Sequence, residues 1–186
     1  MKSGLLVVGG LFLFLLGVFV IIVQFEKIAL HAYRIPSSAM EPTLHCARPA
    51  QGCGAGTADR VFVPRFTLWT PSRGDIVVFH TPPKAVASCG AGGTFLKRLV
   101  GLPGETVSER RGYVFIDGKA SEEPYIRRGR RDRQSGTWRV PEGEYFVLGD
   151  NRAQSCDSRY FGSVPRYNLI GPVVVRYFPF NRIGLP

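Results

Sequence analysis

Acidic residues are scarce in this chain: 14 Asp and Glu stand against 24 Lys and Arg, a formal net charge of +10 in 186 residues. A surplus of that size has two ordinary partners, nucleic acid and anionic lipid. No internal repeat recurs and no helix-turn-helix pattern is present, which removes the repeat architectures and the commonest DNA-reading module. No Cys-x-x-Cys pair occurs either, so the four cysteines resemble no metal pattern. Cys46 and Cys53 enclose six residues, a spacing that suits a small disulfide loop in an oxidising compartment. Cys89 and Cys156 are left open between a second bridge and two buried thiols. With 22 glycines and 14 prolines the chain is too rich in helix breakers for a helical bundle, and a turn-rich β domain fits better. The length is too great for a peptide module and too small for two ordinary domains.

Long hydrophobic runs are absent except for one. Leu5 to Val23 carries no charged or polar side chain, and its only weakly apolar members are Gly9, Gly10 and Gly17. Nineteen such residues are enough for one membrane crossing and exceed the hydrophobic stretch of an ordinary signal peptide, so an uncleaved signal anchor is expected over 5–23. Residues 1–4, with Lys2, then form a short cytoplasmic end. A juxtamembrane linker is expected over 24–34 and an extracytoplasmic β domain over 35–186. This places a single-pass protein in the plasma membrane, held down further by its positive charge.

The remainder breaks into short runs rich in β-branched and aromatic residues. Val61–Val63, Asp75–Phe79, Phe95–Val100, Tyr113–Ile116, Glu144–Leu148 and Pro172–Phe178 are expected strands, and their short spacing points to an antiparallel architecture. The run 127–133, RRGRRDR, reads as a solvated loop or hairpin tip. The segment 62–69, FVPRFTLW, is half expected in the core. Phe62, Phe66 and Trp69 also suit a lip at the bilayer interface, where an aromatic ring is stable with one end wet.

Three stretches stand apart: 34–44, RIPSSAMEPTL; 95–107, FLKRLVGLPGETV; and 148–162, LGDNRAQSCDSRYFG. Singly, each passes for a turn or a strand edge. Together and in this order, with RGDIVVF at 73–79 between the first two, they resemble the type I signal peptidase family, membrane-bound Ser/Lys endoproteases that release exported proteins from their signal peptides. The resemblance covers most of the chain after the anchor and implies a mainly β, antiparallel catalytic domain of the signal-peptidase type behind one transmembrane helix. It implies no metal, no cofactor and no nucleic acid. The partners it implies are the signal peptides of exported preproteins, with membrane lipid beside them.

The family pattern Pro-Ser-x-Ser-Met-x-Pro-Thr-Leu falls on Pro36 to Leu44, so Ala39 stands where the family has its nucleophilic serine. Ser38 does not replace it if the segment is extended, because one residue of shift turns a side chain to the opposite face. The resemblance makes Lys97 the general base, Ser37 an oxyanion-hole donor together with the backbone N–H of residue 39, and Ser155 the group that orients the lysine. Met40, Pro42, Asp150, Asp157 and Arg159 become structural neighbours, with Arg159 expected to pair with Asp157 or Asp150. Ala153 and Gln154 depart from the family's usual Asp and Asn.

The chemistry of Lys97 is arguable without the resemblance. A free lysine, with a pKa near 10.4, is about 99.9% protonated at pH 7 and cannot take a proton. Burial among Phe95, Leu96 and Leu99 disfavours the charged form, and a fall of about three units corresponds to about 4 kcal/mol. No acid lies between Asp75 and Glu105 to oppose it. The stretches 33–36 and 94–96 lead into Ala39 and Lys97, and an extended signal peptide would pair with their backbones. Ile35, Pro36 and Leu96 then form shallow walls that leave room for small side chains. The chain is expected to be an inactivated peptidase with its serine exchanged for alanine. Two alternatives stay open: a peptidase dedicated to one substrate, such as a pilin, and a natural non-catalytic, membrane-anchored binding protein.

Overall fold

The computed structural model describes residues 15–19, 30–64 and 69–186. Of the anchor expected over 5–23, only 15–19 are described and they are helical; the rest, like Phe66 in the aromatic segment, lies outside the described residues. Among the described residues no helix is long and apolar enough to cross a membrane.

Among the described residues twelve strands follow in chain order: β1 Leu30–Arg34, β2 Arg60–Pro64, β3 Ile76–His80, β4 Thr94–Gly101, β5 Thr106–Arg110, β6 Tyr113–Ile116, β7 Lys119–Ala120, β8 Gly136–Arg139, β9 Glu144–Leu148, β10 Val164–Pro165, β11 Leu169–Pro172 and β12 Val175–Phe178. Two short helices interrupt them, α1 at Lys84–Cys89 and α2 at Ser158–Phe161. The strands form three sheets, ordered β1-β2-β12, β10-β9-β4-β3-β11 and β7-β6-β5-β8, and every named pairing is antiparallel. β3 is buried at four of its five positions, as its unbroken apolar run Ile76–Phe79 requires of a central strand.

Ile35, Met40, Leu44, Val61 and Val63 form one core, Val77, Phe79, Leu99 and Phe161 a second, and Val100, Val107, Val114 and Phe146 a third. The first and third cores lie between sheets: Ile76 and Val78 of β3 join the first, and Val100 of β4 and Phe146 of β9 join the third. The expected Cys46–Cys53 bridge is present, and Cys89 and Cys156 form a second one that ties α1 to the loop after β9.

Several elements differ from the sequence reading. Leu30–Arg34, inside the expected linker, is strand β1, paired along its whole length with β2. β5 ends in the adjacent charges Glu109 and Arg110, and β8 is a Gly-Thr-Trp-Arg run, so neither shows an apolar stretch in the sequence. The expected strand 172–178 divides into β11 and β12, which join different sheets. Of the aromatic segment, Phe62 stacks on Tyr177 with ring centroids 4.0 Å apart, and Trp69 packs against the second core beneath the Arg166 guanidinium.

Candidate active site

β1 runs on through Ile35, whose N–H donates to the Asp59 carbonyl at 3.0 Å. Ser37 is still extended, and the chain then makes one 3-10 turn over Ser38–Met40, closed by the Glu41 N–H on the Ser38 carbonyl at 3.1 Å. Met40, 2% exposed, sinks into the first core and holds the turn in place. An extended course through residue 39 is therefore incorrect, because anchoring Met40 in the core requires the bend. The turn still separates the neighbouring side chains: Ser37 and Ala39 line a cavity of about 400 Å³, whereas the Ser38 hydroxyl donates to Gln154 Oε1 at 3.2 Å, beside Gly52.

Lys97 comes from the middle of β4, opposite Val77, and lines the same cavity with Ile35, Pro36 and Leu96. It is 5% exposed, and burial pushes its amine down to about 8. The reading that no acid opposes this shift is corrected by the fold: Asp157 and Asp150, from the loop after β9, both pull the value back up. Their charges are committed elsewhere, so desolvation wins. Asp150 accepts two hydrogen bonds from Arg98, at 2.8 and 2.7 Å, and one from the Thr43 hydroxyl at 2.5 Å. Asp157 is held by Arg159 at 2.8 and 2.9 Å and by the Gly149 N–H at 3.1 Å. Arg159 thus pairs with Asp157, and Asp150 takes Arg98, a partner missed in the sequence although it directly follows Lys97.

The Arg98–Asp150 pair is buried on both sides, and removing one member of such a pair strands the other charge. Arg98→Met is expected to cost about 3–5 kcal/mol, seen as a fall in the thermal midpoint on the order of 10 °C. An unchanged midpoint would show that water reaches Asp150.

Strand register explains how distant segments meet. Arg98 pairs with Leu148, so the residues that follow Leu148 leave β9 at the level of Lys97. Gly149 sits there at a close backbone approach: a Cβ on it would meet Ser155 Oγ and, at 2.5 Å, the Ala39 carbonyl oxygen. The Asn151 N–H donates to that carbonyl at 3.0 Å, and its side-chain amide to the Ser38 carbonyl at 3.0 Å. Gly149→Ala is expected to push the 149–157 loop off residue 39, at about 1–3 kcal/mol of stability, and to narrow the cavity. Weakened peptide binding alongside a lowered midpoint is the check.

Ser155 is buried, its hydroxyl has no hydrogen-bond partner, and no hydrogen bond joins it to Lys97 among the described residues. Arg152, unremarked in the sequence, is fully enclosed: it donates to the Gly149 carbonyl at 3.0 Å and pairs with Glu123. Among the described residues no group of His, Cys, Asp and Glu is disposed to hold a metal ion.

Among the described residues the cavity also has two open strand edges. β1 has β2 as its one named partner, and Thr94–Lys97 of β4 pair with β3 while pairing to β9 begins at Arg98. Backbone edges of this kind can receive an extended polypeptide, and an amine that is partly neutral near pH 7 can accept a proton from a neighbouring hydroxyl.

Comparison with known proteins defines the class. The family model described as "Signal peptidase, peptidase S26" matches residues 7–178, and the chain belongs to this family. It is 43% identical over 154 residues to the signal peptidase I of Leptolyngbya laminosa, covering 81% of this chain and 70% of that one. It is 40% identical over 153 residues to the probable signal peptidase I-2 of Synechocystis, covering 81% and 64%. A signal peptidase I structure from Enterococcus faecalis, 36% identical, covers 58% of this chain and 100% of its own, with a TM-score of 0.48.

Proposed function

We propose that this chain receives signal peptides of exported preproteins as an extended strand between Tyr33–Pro36 and Thr94–Leu96, in a Ser/Lys peptidase site whose nucleophile position is occupied by Ala39. The observation that carries this reading is the shared cavity: residue 39 and the depressed Lys97 amine line one space, while Ser38 is absent from its wall and donates its hydroxyl to Gln154. Lys97 acts as the general base, Ser37 and the backbone N–H of residue 39 as oxyanion donors, and Ser155 as the group that orients the lysine. Ile35, Pro36 and Leu96 form the walls for small substrate side chains. With no oxygen at position 39, the chain binds substrate and does not cut it.

The run 5–23 is the anchor in this proposal and keeps the site near the point where a tethered substrate leaves the bilayer. Phe62 and Trp69, already packed on Tyr177 and Arg166, would offer lipid their outer edges.

A panel of unrelated preproteins presented to the Ala39→Ser protein tests the reading. Cleavage of most of them marks a general peptidase, and cleavage of one marks a dedicated enzyme of the pilin-processing kind. Binding without any restored cleavage would leave a non-catalytic receptor and overturn the peptidase assignment.

A further inference from the structure

The arginine run at 127–133 has no part in peptide binding as proposed above, yet its residues divide into two sets. Arg130, Arg131 and Asp132 are fastened to the 149–157 loop. The Ala153 N–H donates to the Arg130 carbonyl at 3.1 Å. Arg131 donates to Glu123 at 2.7 Å, and the other oxygen of that carboxylate takes Arg152. Asp132 accepts from Arg159, whose guanidinium also donates to the carbonyls of Arg152 and Ser155, at 2.9 and 3.4 Å.

Arg128 and Arg133 are disposed differently. With Arg111, from the turn between β5 and β6, they line a basin of about 880 Å³, and among the described residues their guanidinium groups make no hydrogen bond or ion pair. Arg131 forms part of the wall, its guanidinium 4.3 Å from the centre of the Tyr113 ring. The acid lining the basin, Asp132, is already neutralised by Arg159. Like charges gathered around one concavity repel each other, and a multivalent anion reverses the sign of that interaction. Guanidinium forks match phosphate oxygens in particular, since two parallel N–H donors meet two acceptors.

We propose that the Arg111, Arg128 and Arg133 basin binds a phosphate-bearing anion, and that its occupancy is passed to the 149–157 loop through Arg130, Arg131 and Asp132. Binding orders the run from one side while its other side holds Ala153, Arg152 and Arg159, so the anion tightens the loop that flanks Ala39 and Lys97. The site does not depend on what position 39 does, and its test involves no cleavage.

The full chain in neutral detergent is titrated with inorganic pyrophosphate at fixed ionic strength and, in parallel, mixed with vesicles of phosphatidylglycerol or phosphatidylcholine. Saturable binding is expected in at least one anionic arm, with slowed hydrogen exchange at the Ala153 amide. Combined Arg111→Gln, Arg128→Gln and Arg133→Gln replacement is expected to weaken it by about tenfold or more. Arg127→Gln, outside the basin, is expected to leave it unchanged. Saturation by pyrophosphate identifies a soluble phosphate ligand, and a preference for phosphatidylglycerol over phosphatidylcholine vesicles that the triple variant loses, without pyrophosphate saturation, identifies a lipid headgroup. Equal binding by the triple variant, or no pyrophosphate saturation together with no preference for phosphatidylglycerol over phosphatidylcholine, overturns the site; binding that leaves Ala153 exchange unaltered overturns the coupling.

Discussion

Ala39→Ser is expected to raise precursor cleavage by several orders of magnitude, approaching the factor on the order of 10⁶ that separates serine proteases with and without their nucleophile. The change adds one oxygen to a side chain that already lines the cavity, on a turn pinned by Met40 and by the Asn151 N–H on the Ala39 carbonyl. Little needs to move. The new hydroxyl faces a space shared with an amine able to take its proton, so attack on a bound carbonyl proceeds without building a strong base from solvent. The oxyanion donors proposed here, Ser37 and the backbone N–H of residue 39, precede the reaction and require no reorganisation during it. Initial rates on a preprotein, with folding checked by thermal midpoint, decide the matter. A folded Ala39→Ser protein that cuts no faster than the parent would remove Lys97 and residue 39 from their roles together.

The second large effect belongs to Lys97. In the Ala39→Ser background, Lys97→Met is expected to abolish the restored cleavage while filling the same apolar space between strands. The amine must be uncharged to act as a base, and burial brings it down to about 8. Below that value each unit of pH removes about nine-tenths of the competent form, so the rate is expected to climb about tenfold per unit up to pH 8 and then level off. The position of the rise distinguishes this base from a carboxylate or a histidine, whose profiles climb with the same sign but at lower pH. A rate maximum near pH 5, or cleavage that survives Lys97→Met, would contradict the assignment. The carboxylates that oppose the shift are held by Arg98 and Arg159, so loosening the Arg98–Asp150 pair also bears on the base, through the field at Lys97 as well as through stability.

The family and the three boxes were legible in the sequence because they rest on local spacing; the strands β3, β6 and β9 were legible because their apolar runs are short and continuous, and β4 because apolar pairs flank Lys97 and Arg98 on both sides. β5 and β8 were not, since charged residues such as Glu109 and Arg139 lie within them and only strand pairing supplies the pattern. The 3-10 turn at Ser38–Met40 was missed for a related reason: the residues read as extended, and the burial of Met40 bends them. Arg98 gave no local sign of its partner, because Asp150 lies 52 residues away and meets it only through the pairing of β4 with β9.

By itself, the order of residues determined the family, the alanine at the proposed position of the reactive oxygen and the identity of the candidate base. Each of these is a matter of which side chain occurs where. The environment of that base was decided by the tertiary structure alone. How far an amine is lowered depends on what the fold packs around it, here apolar strands against two acids already claimed by arginines. The same holds for the Cys89–Cys156 disulfide, for the bond of Ser38 to Gln154 and for the division of the arginine run into a fastened half and a free one. They arise from segments far apart in the chain that become neighbours only when the sheets assemble.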